Sequence, residues 1–344
     1  MAFLYCYSVL KKMDQEKSDS SKKANPAKVK DAAKALAVMK KEISKVFFGQ
    51  DLIVDSLLRA LLCNGHVLVE GVPGIAKTLA IKALAQVSGC SFKRLQFTAD
   101  LLPSDILGLT TYNPEKGFEI VKGPIFANFI IADEINRSPP KTQSAMIEAM
   151  QEKQVTIGST TFSLPNPFFV MANQNPIETE GVYSLPEAQI DRFLFKIEMD
   201  YPDEESEKRI MEENTTFKKF EDFDIETIVS PEKIIMMQQL THQVYLDKKI
   251  KEYILKIVKK TRDKDFEFGN YIELGCSPRA SIALFVAAKA EALMKGRNFV
   301  IPSDIKSVAK DVLRHRLILS YKARADKISS EKIINEIFKI VRAP

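Results

Sequence analysis

The stretch Gly-His-Val-Leu-Val-Glu-Gly-Val-Pro-Gly-Ile-Ala-Lys-Thr-Leu, from Gly65 to Leu79, constrains this chain more than any other. The apolar run Val67 to Val69 reads as a strand. It breaks into a loop of Gly71, Val72, Pro73, Gly74, Ile75 and Ala76, then enters a helical pattern that carries Ala80, Ile81, Leu84 and Val87. Strand, loop and helix in that order make a phosphate cradle, because backbone N–H groups must turn inward around phosphate oxygens and side chains on that wall would block them. Lys77 is placed to reach the β- and γ-phosphates and Thr78 to hold Mg²⁺. Leu79 completes the binding stretch in the first turn of the helix, whose positive end faces the anion. The general pattern G-x-x-x-x-G-K-[ST] is met except that Ala76 precedes Lys77 where glycine is usual. A glycine turn before an ordinary surface lysine is the alternative, and the downstream sequence argues against it.

At 344 residues the chain can hold two domains and a substantial core. With 45% hydrophobic and 28% charged residues it has the balance of a soluble globular protein. The net charge is only +5 and the lysines are interspersed with acids, which does not argue for nucleic acid. No apolar run approaches the roughly 20 residues needed to cross a bilayer. The apolar opening Met-Ala-Phe-Leu-Tyr-Cys-Tyr lacks a basic leader and a small-residue cleavage site, so a cytoplasmic protein without a signal peptide is expected. Cys6, Cys63, Cys90 and Cys276 are far apart and read as reduced thiols. His66, His242 and His315 share no ligand spacing and read as helix-surface or strand-end residues.

Residues 11 to 30 carry almost no apolar side chains and read as a mobile tail or linker. Two helical patterns follow, with Leu36, Met39, Ile43 and Val46 in the first and Ile53, Leu57 and Leu61 in the second. Between them, Phe47-Phe48-Gly49-Gln50 either packs on an adenine ring or supplies two core phenylalanines. After the phosphate-loop helix, closed by Gly89, Phe92 to Gln96 form a strand. Thr110 to Tyr112 and Phe118 to Val121 alternate around Asn113-Pro114-Glu115-Lys116-Gly117, the pattern of a hairpin inserted where a simple βαβ unit would have one helix. Gln154 to Leu164 reads as a second hairpin around Gly158-Ser159.

The second chemical motif is Asn-Phe-Ile-Ile-Ala-Asp-Glu, a buried strand that ends in Asp133 and Glu134. Alternation sends the two carboxylates in different directions. Asp133 is expected beside Thr78, on Mg²⁺ through water, and Glu134 on the γ-phosphate side, polarising the attacking water. Ser138-Pro139-Pro140 is expected to start a helix with Ser138 as its cap. Phe168 to Ala172 is another buried strand, and it runs into Asn173-Gln174-Asn175 at the end where α/β folds bind ligands. Asn175 is the first choice, and Asn173 the second, for an amide that holds water or senses the γ-phosphate; simple turn formation is the alternative. From Asp203 onward the pattern is helical, with Arg279 of Ser277-Pro278-Arg279 at a helix start.

Taken together these stretches resemble an AAA+ ATPase, and more closely the MoxR family. Gly-His-Val-Leu-Val-Glu-Gly-Val-Pro-Gly-Ile-Ala-Lys-Thr, Asp-Glu-Ile-Asn-Arg, Ala-Asn-Gln-Asn-Pro-Ile-Glu, Leu-Pro-Glu-Ala-Gln-Ile-Asp-Arg-Phe and Ser-Pro-Arg-Ala occur in the family's order. Ala76 is then the family's usual residue, whereas Asn173 stands where threonine is more frequent. The resemblance implies an α/β fold of the P-loop NTPase (AAA+) kind, with a parallel sheet core and hairpin insertions, followed by an all-α lid. The chain then divides into a tail at 1–33, an ATPase domain at 34–202 and a lid at 203–344. It further implies ATP and Mg²⁺ as ligands and a ring homo-oligomer, in number a hexamer. Arg192 would be an arginine finger reaching a neighbour's site, with Arg137 a weaker candidate, and Arg279 the second sensor. Clients with von Willebrand factor A domains, and work in complex assembly or metal-cofactor insertion, belong to the same implication. A nucleic-acid motor or metal-chelatase subunit is the alternative, as related rings line a DNA channel with such hairpins. Neither hairpin is strongly basic, however, which makes nucleic acid an unfavoured partner. A switch that binds nucleotide with negligible turnover is a third reading, opposed by Glu134.

Overall fold

The computed structural model describes residues 24–344 apart from 73, 176–180 and 214–219. Pro73, Cys6 and most of the expected tail therefore lie outside the described residues. Helix α1 (Pro26–Ile43) begins inside the segment read as tail and linker. Asn25 caps it, its Oδ1 accepting from the Ala27 N–H at 2.9 Å, and Pro26 sits at the first turn, where a missing N–H costs nothing. Val29, Ala32, Leu36, Met39 and Ile43 bury one stripe of it. Lys28, Lys30 and Asp31 dominate the composition there and obscure that stripe. Helix α2 (Asp51–Leu62) follows.

The central sheet is five-stranded and parallel, in the order β2-β5-β8-β1-β9. Its strands are β1 (Val67–Gly71), β2 (Phe92–Gln96), β5 (Phe129–Asp133), β8 (Phe169–Gln174) and β9 (Phe195–Met199). Alternation sorts their side chains onto two faces. Val67, Val69, Ile131, Met171 and Ile197 pack with α1, α2 and helix α3 (Lys77–Val87). Leu68, Ile130, Ala132, Val170 and Ala172 pack with Met146, Ile147 and Met150 of helix α5 (Pro140–Glu152). Helix α5 takes Pro139, not Ser138, as its N-cap residue. Pro139 holds the extended backbone that precedes the helix, and the Ser138 hydroxyl turns back to the Ile135 carbonyl at 3.3 Å.

Both hairpins form. Helix α4 (Pro103–Leu107) leads into β3 (Gly108–Asn113) and β4 (Gly117–Lys122), and β6 (Gln154–Ile157) pairs with β7 (Thr160–Ser163). Lys122 joins the two, its Nζ lying 4.9 Å from the Phe126 ring centroid and 4.7 Å from that of Phe162. Tyr112 and Phe118 stack edge to face at 5.3 Å on the outer hairpin and are exposed.

After the short helix α6 (Glu187–Ile190) and β9, the chain becomes helical. Helices α7 (Glu204–Glu213), α8 (Pro231–Gln243), α9 (Lys248–Lys260), α10 (Pro278–Met294), α11 (Pro302–Leu313), α12 (Tyr321–Ala325) and α13 (Ser330–Ile340) are joined by one small ribbon, β10 (Ile272–Leu274) with β11 (Ile318–Leu319). One apolar core runs on from the sheet through α1 and α2 into these helices. Polar contacts cross the same seam. Arg59 of α2 meets Glu291 of α10 at 2.5 Å, and the Ser56 hydroxyl donates to Asp311 of α11 at 2.6 Å.

Two of the histidines are buried: His66, at the start of β1, is a strand-end residue as expected, while His315, just past α11, is not on a helix surface. The His66 Nδ1 accepts from the Val170 N–H at 3.1 Å, which leaves Nε2–H to donate to the Met150 carbonyl at 2.9 Å. Burial lowers its pKa to about 3. His315 is buried against the Phe193 carbonyl at 3.1 Å, and burial with Arg316 beside it holds its pKa well below the ordinary value. Cys63, Cys90 and Cys276 are free thiols. Among the described residues no helix is long and apolar enough to cross a membrane.

Candidate active site

All five strands of the sheet end on one side, and the sequence-predicted phosphate loop leaves β1, the strand between β8 and β9, there. Gly71 closes β1 so tightly against β9 that a Cβ would come within 2.6 Å of the Met199 carbonyl oxygen. Gly74 has φ +84°, and no atom lies within 4 Å of where its Cβ would be. The loop thus presents open backbone at its crest. Ala76 adopts φ +61°, ψ +28°, a left-handed conformation that costs a non-glycine residue roughly 1–2 kcal/mol. Ile75 is buried and anchors the loop from beneath. Lys77 opens α3 and its Nζ donates back to the Gly71 carbonyl. Burial pushes the Lys77 pKa below the usual lysine range, while Asp133, Glu134 and Glu70 oppose the shift, so the acids of the second motif lie around this ammonium.

Strand β5 is buried along its whole length up to Asp133. Glu134 follows with φ +56°, a second strained position that turns the chain into the 3₁₀ segment Ile135–Arg137. Asn173 of β8 spans both acids: its Nδ2 donates to Asp133 Oδ1, and its Oδ1 accepts from the Glu134 N–H at 2.7 Å. Asn173, the second choice from sequence, is therefore the amide set on the acidic pair. Asn175 is buried just past the strand's end.

Strand β2 supplies neighbours that the sequence did not announce. Arg94 donates from Nε to Asp133 Oδ2 at 2.9 Å, and its Nη2 reaches the same oxygen and Gln96 Oε1. Gln96 Nε2 in turn donates to Glu134 Oε2 at 2.7 Å. Arg137, read as a weak candidate for a subunit contact, places Nε 3.1 Å from Glu134 Oε2 of its own chain. Gln50 sits at the N-cap position of α2 with Nε2 donating to the Asp200 carbonyl at 3.3 Å, and its Oε1 is buried without a partner among the described residues. Phe47 belongs to the main core, and Phe48 is buried with the Arg209 guanidinium 4.9 Å from its ring centroid.

A second constellation joins the sheet to the helical part. Asp191, in the turn before β9, accepts from Arg279 Nη1 at 3.1 Å, from Arg316 Nε at 2.9 Å and from the Ser277 hydroxyl at 3.1 Å. Arg316 also donates to the carbonyls of Phe193, Leu194 and Val312. In this conformation Arg279 is tethered to Asp191. The next residue, Arg192, has its Nε buried without a hydrogen-bond partner among the described residues.

These groups suit a magnesium nucleotide. The open crest at Gly74 and the orphaned Gln50 Oε1 leave room and a polar atom for a ligand. Thr78 and Asp133 offer the hard oxygens that Mg²⁺ prefers, few in number because that ion keeps waters and phosphate oxygens in its shell.

Comparison with known proteins bears on the same residues. Residues 66–195 match the ATPase family associated with various cellular activities (AAA), and residues 268–337 match the AAA lid domain. The chaperone MoxR1 of Mycobacterium tuberculosis is 45% identical over 309 residues, covering 88% of this chain and 81% of that protein. The chain belongs to the MoxR family of AAA+ ATPases. YeaC of Bacillus subtilis is 46% identical over 303 residues, covering 88% of this chain and 92% of its own. A crystal structure from Cytophaga hutchinsonii, described as an ATPase, superposes with a TM-score of 0.86 at 43% identity, covering 96% of this chain and 99% of that one.

In this MoxR-family ATPase the matched segments hold Lys77, Asp133, Glu134, Asn173, Asn175 and Arg192 in the first and Arg279 and Arg316 in the second. The chemistry available is a loop of backbone donors, one ammonium, two carboxylates that face different partners, and arginines arranged around them. Sequence reasoning missed Arg94, Gln96, Asp191 and Arg316. The signal for the first two was the strand period itself, since residues 94 and 96 share a face with Asp133 in the observed register. Arg316 left a fainter signal, an arginine between apolar Val312-Leu313 and Leu317.

Proposed function

We propose that the chain is a Mg²⁺-dependent motor that hydrolyses ATP within a homo-oligomeric ring, a hexamer in the cytoplasm, and spends the cycle on remodelling a protein client. The observation that carries the reading is the convergence of Lys77, Asp133 and Glu134 at the end of β1 and β5. Backbone N–H groups of Gly71, Val72 and Gly74 to Thr78, with Lys77 and Leu79 in the first helical turn, would hold the phosphates, Pro73 having none to offer. Thr78 and Asp133 would hold Mg²⁺, which when bound offsets phosphate charge and orients the β- and γ-oxygens. Glu134 would accept the proton of the water that attacks the γ-phosphorus as the bond to the ADP oxygen breaks. Asn173 or Asn175 would position that water, and Gln50 would lie beside the base. Arg192 would complete a neighbour's site, and its unpartnered Nε supports that role. Arg279 would leave Asp191 for the γ-phosphate when the lid closes.

The client is a protein, of the von Willebrand factor A domain class, and the work is complex assembly or metal-cofactor insertion. The name of the Mycobacterium tuberculosis relative and the exposed Tyr112–Phe118 pair on the outer hairpin support a protein client. The test is a pair of variants. Lys77→Ala should lose ATP binding, while Glu134→Gln should bind ATP within about threefold of wild type and turn over at least about 100-fold more slowly. Wild-type turnover by Glu134→Gln would remove the assignment.

A further inference from the structure

We propose that Arg94 is a displaceable internal cation, whose guanidinium holds on Asp133 the position that Mg²⁺ takes when nucleotide arrives. The inference rests on Asp133 being the metal-binding carboxylate of the proposed function. Asp133 is fixed: it ends a buried strand, and Asn173 donates to its Oδ1. A carboxylate so enclosed is stabilised by a counter-charge. The nearby ammonium of Lys77 is turned to the Gly71 carbonyl, and the charge on Asp133 Oδ2 is met by Arg94 through Nε and Nη2.

The partners differ in freedom. The Arg94 side chain is 54% exposed and that of Asp133 only 12%, so the arginine can swing to water while the aspartate cannot. Arg94 lies on β2, an edge strand, two residues before Gln96, which is in register with Asp133. The pleat therefore delivers the guanidinium to the face on which the metal would sit. The same guanidinium orients Gln96, whose amide holds Glu134. Departure of Arg94 would thus also release one restraint on the second acid. Arg94 is a positioning residue: it acts on the metal through Asp133 and touches no substrate.

The experiment uses the full chain and ADP as probe. ADP dissociation constants are measured by calorimetry in excess Mg²⁺ and in EDTA for wild type, Arg94→Gln and Arg94→Lys, and the ratio of the EDTA constant to the Mg²⁺ constant reports how strongly metal and nucleotide help each other. In Arg94→Gln the metal has no ion pair to break, so the ratio should rise about tenfold, the scale of a charge-assisted pair, with the EDTA constant moving less than about threefold. Arg94→Lys keeps the charge without the fork and should fall between the two. A structural role alone would weaken both constants together and leave the ratio unchanged. An unchanged ratio in variants that bind ADP overturns the inference while the nucleotide reading stands. If Arg94→Gln does not fold, Arg94→Lys decides alone, by a ratio raised about threefold or not at all. A wild-type chain that binds no ADP overturns the nucleotide reading, and this inference with it.

Discussion

Asp133 and Asp191 each accept hydrogen bonds from arginine near a strand end of the sheet, yet the two pairs are built for different ends. Their carboxylates are similarly enclosed, with side chains 12% and 18% exposed. The cations are not: Arg94 is 54% exposed and Arg316 only 3%. Arg316 is also spread over the carbonyls of Phe193, Leu194 and Val312, so it cannot leave Asp191 without stranding donors in the core. Burial pushes its pKa down, and Asp191 offsets that push. The lesson is that an aspartate–arginine pair is a weld or a switch according to whether the cation has water to retreat to. At Asp191 both kinds meet on one carboxylate, since Arg279 is 37% exposed while Arg316 is sealed in.

The contrast can be broken most forcefully at Arg316. Replacing it with methionine leaves Asp191 short of its buried partner, removes a donor from the carbonyls of Asp191, Phe193, Leu194 and Val312, and should cost about 3–5 kcal/mol in urea unfolding. A loss below about 1 kcal/mol would mean that the weld is no weld. Acid sharpens the same contrast through His315, whose ring lies against the Phe193 carbonyl beside Arg316. Its folded pKa lies below the ordinary 6.5, so the unfolded chain binds the proton first. The neutral ring therefore contributes its full stability above about pH 6.5 and loses roughly 1.4 kcal/mol per pH unit below it. His66, at about 3, adds a parallel loss that continues down to that value. His315→Gln should remove about half of the combined slope between pH 6.5 and 5, measured by unfolding midpoints, and an unaltered slope would place the titration elsewhere. The smallest effect is expected at the switch. Arg94→Met should lower stability by about 1 kcal/mol, because a half-exposed cation is replaced in part by water.

How much of this could be read beforehand follows the range of each signal. The phosphate loop, the buried strands ending in acids and both hairpins announce themselves through short-range patterns: glycine at the crest of a turn, period-two alternation and a run of buried β-branched residues. The start of α1 is hidden because its lysines outweigh Val29 and Ala32, which extend the stripe of Leu36 and Met39 toward the N-terminus only at helical spacing. The Asp191–Arg316 contact joins residues far apart in sequence, and the apolar neighbours of Arg316 hint at its burial without naming its partner. That Asn173 meets the acidic pair follows from the register of β8 against β5, in which Ala132 faces Ala172 and the next residues, Asp133 and Asn173, come together.

The most direct test of the account is ATP turnover per chain as a function of protein concentration, with Glu134→Gln as the blank and light scattering to follow assembly. A site completed by Arg192 of a second copy predicts a specific rate that climbs with ring formation and levels off when assembly is complete. A specific rate above the blank that is the same for dispersed chains and for rings would contradict it, because each chain would then hold everything its own reaction needs.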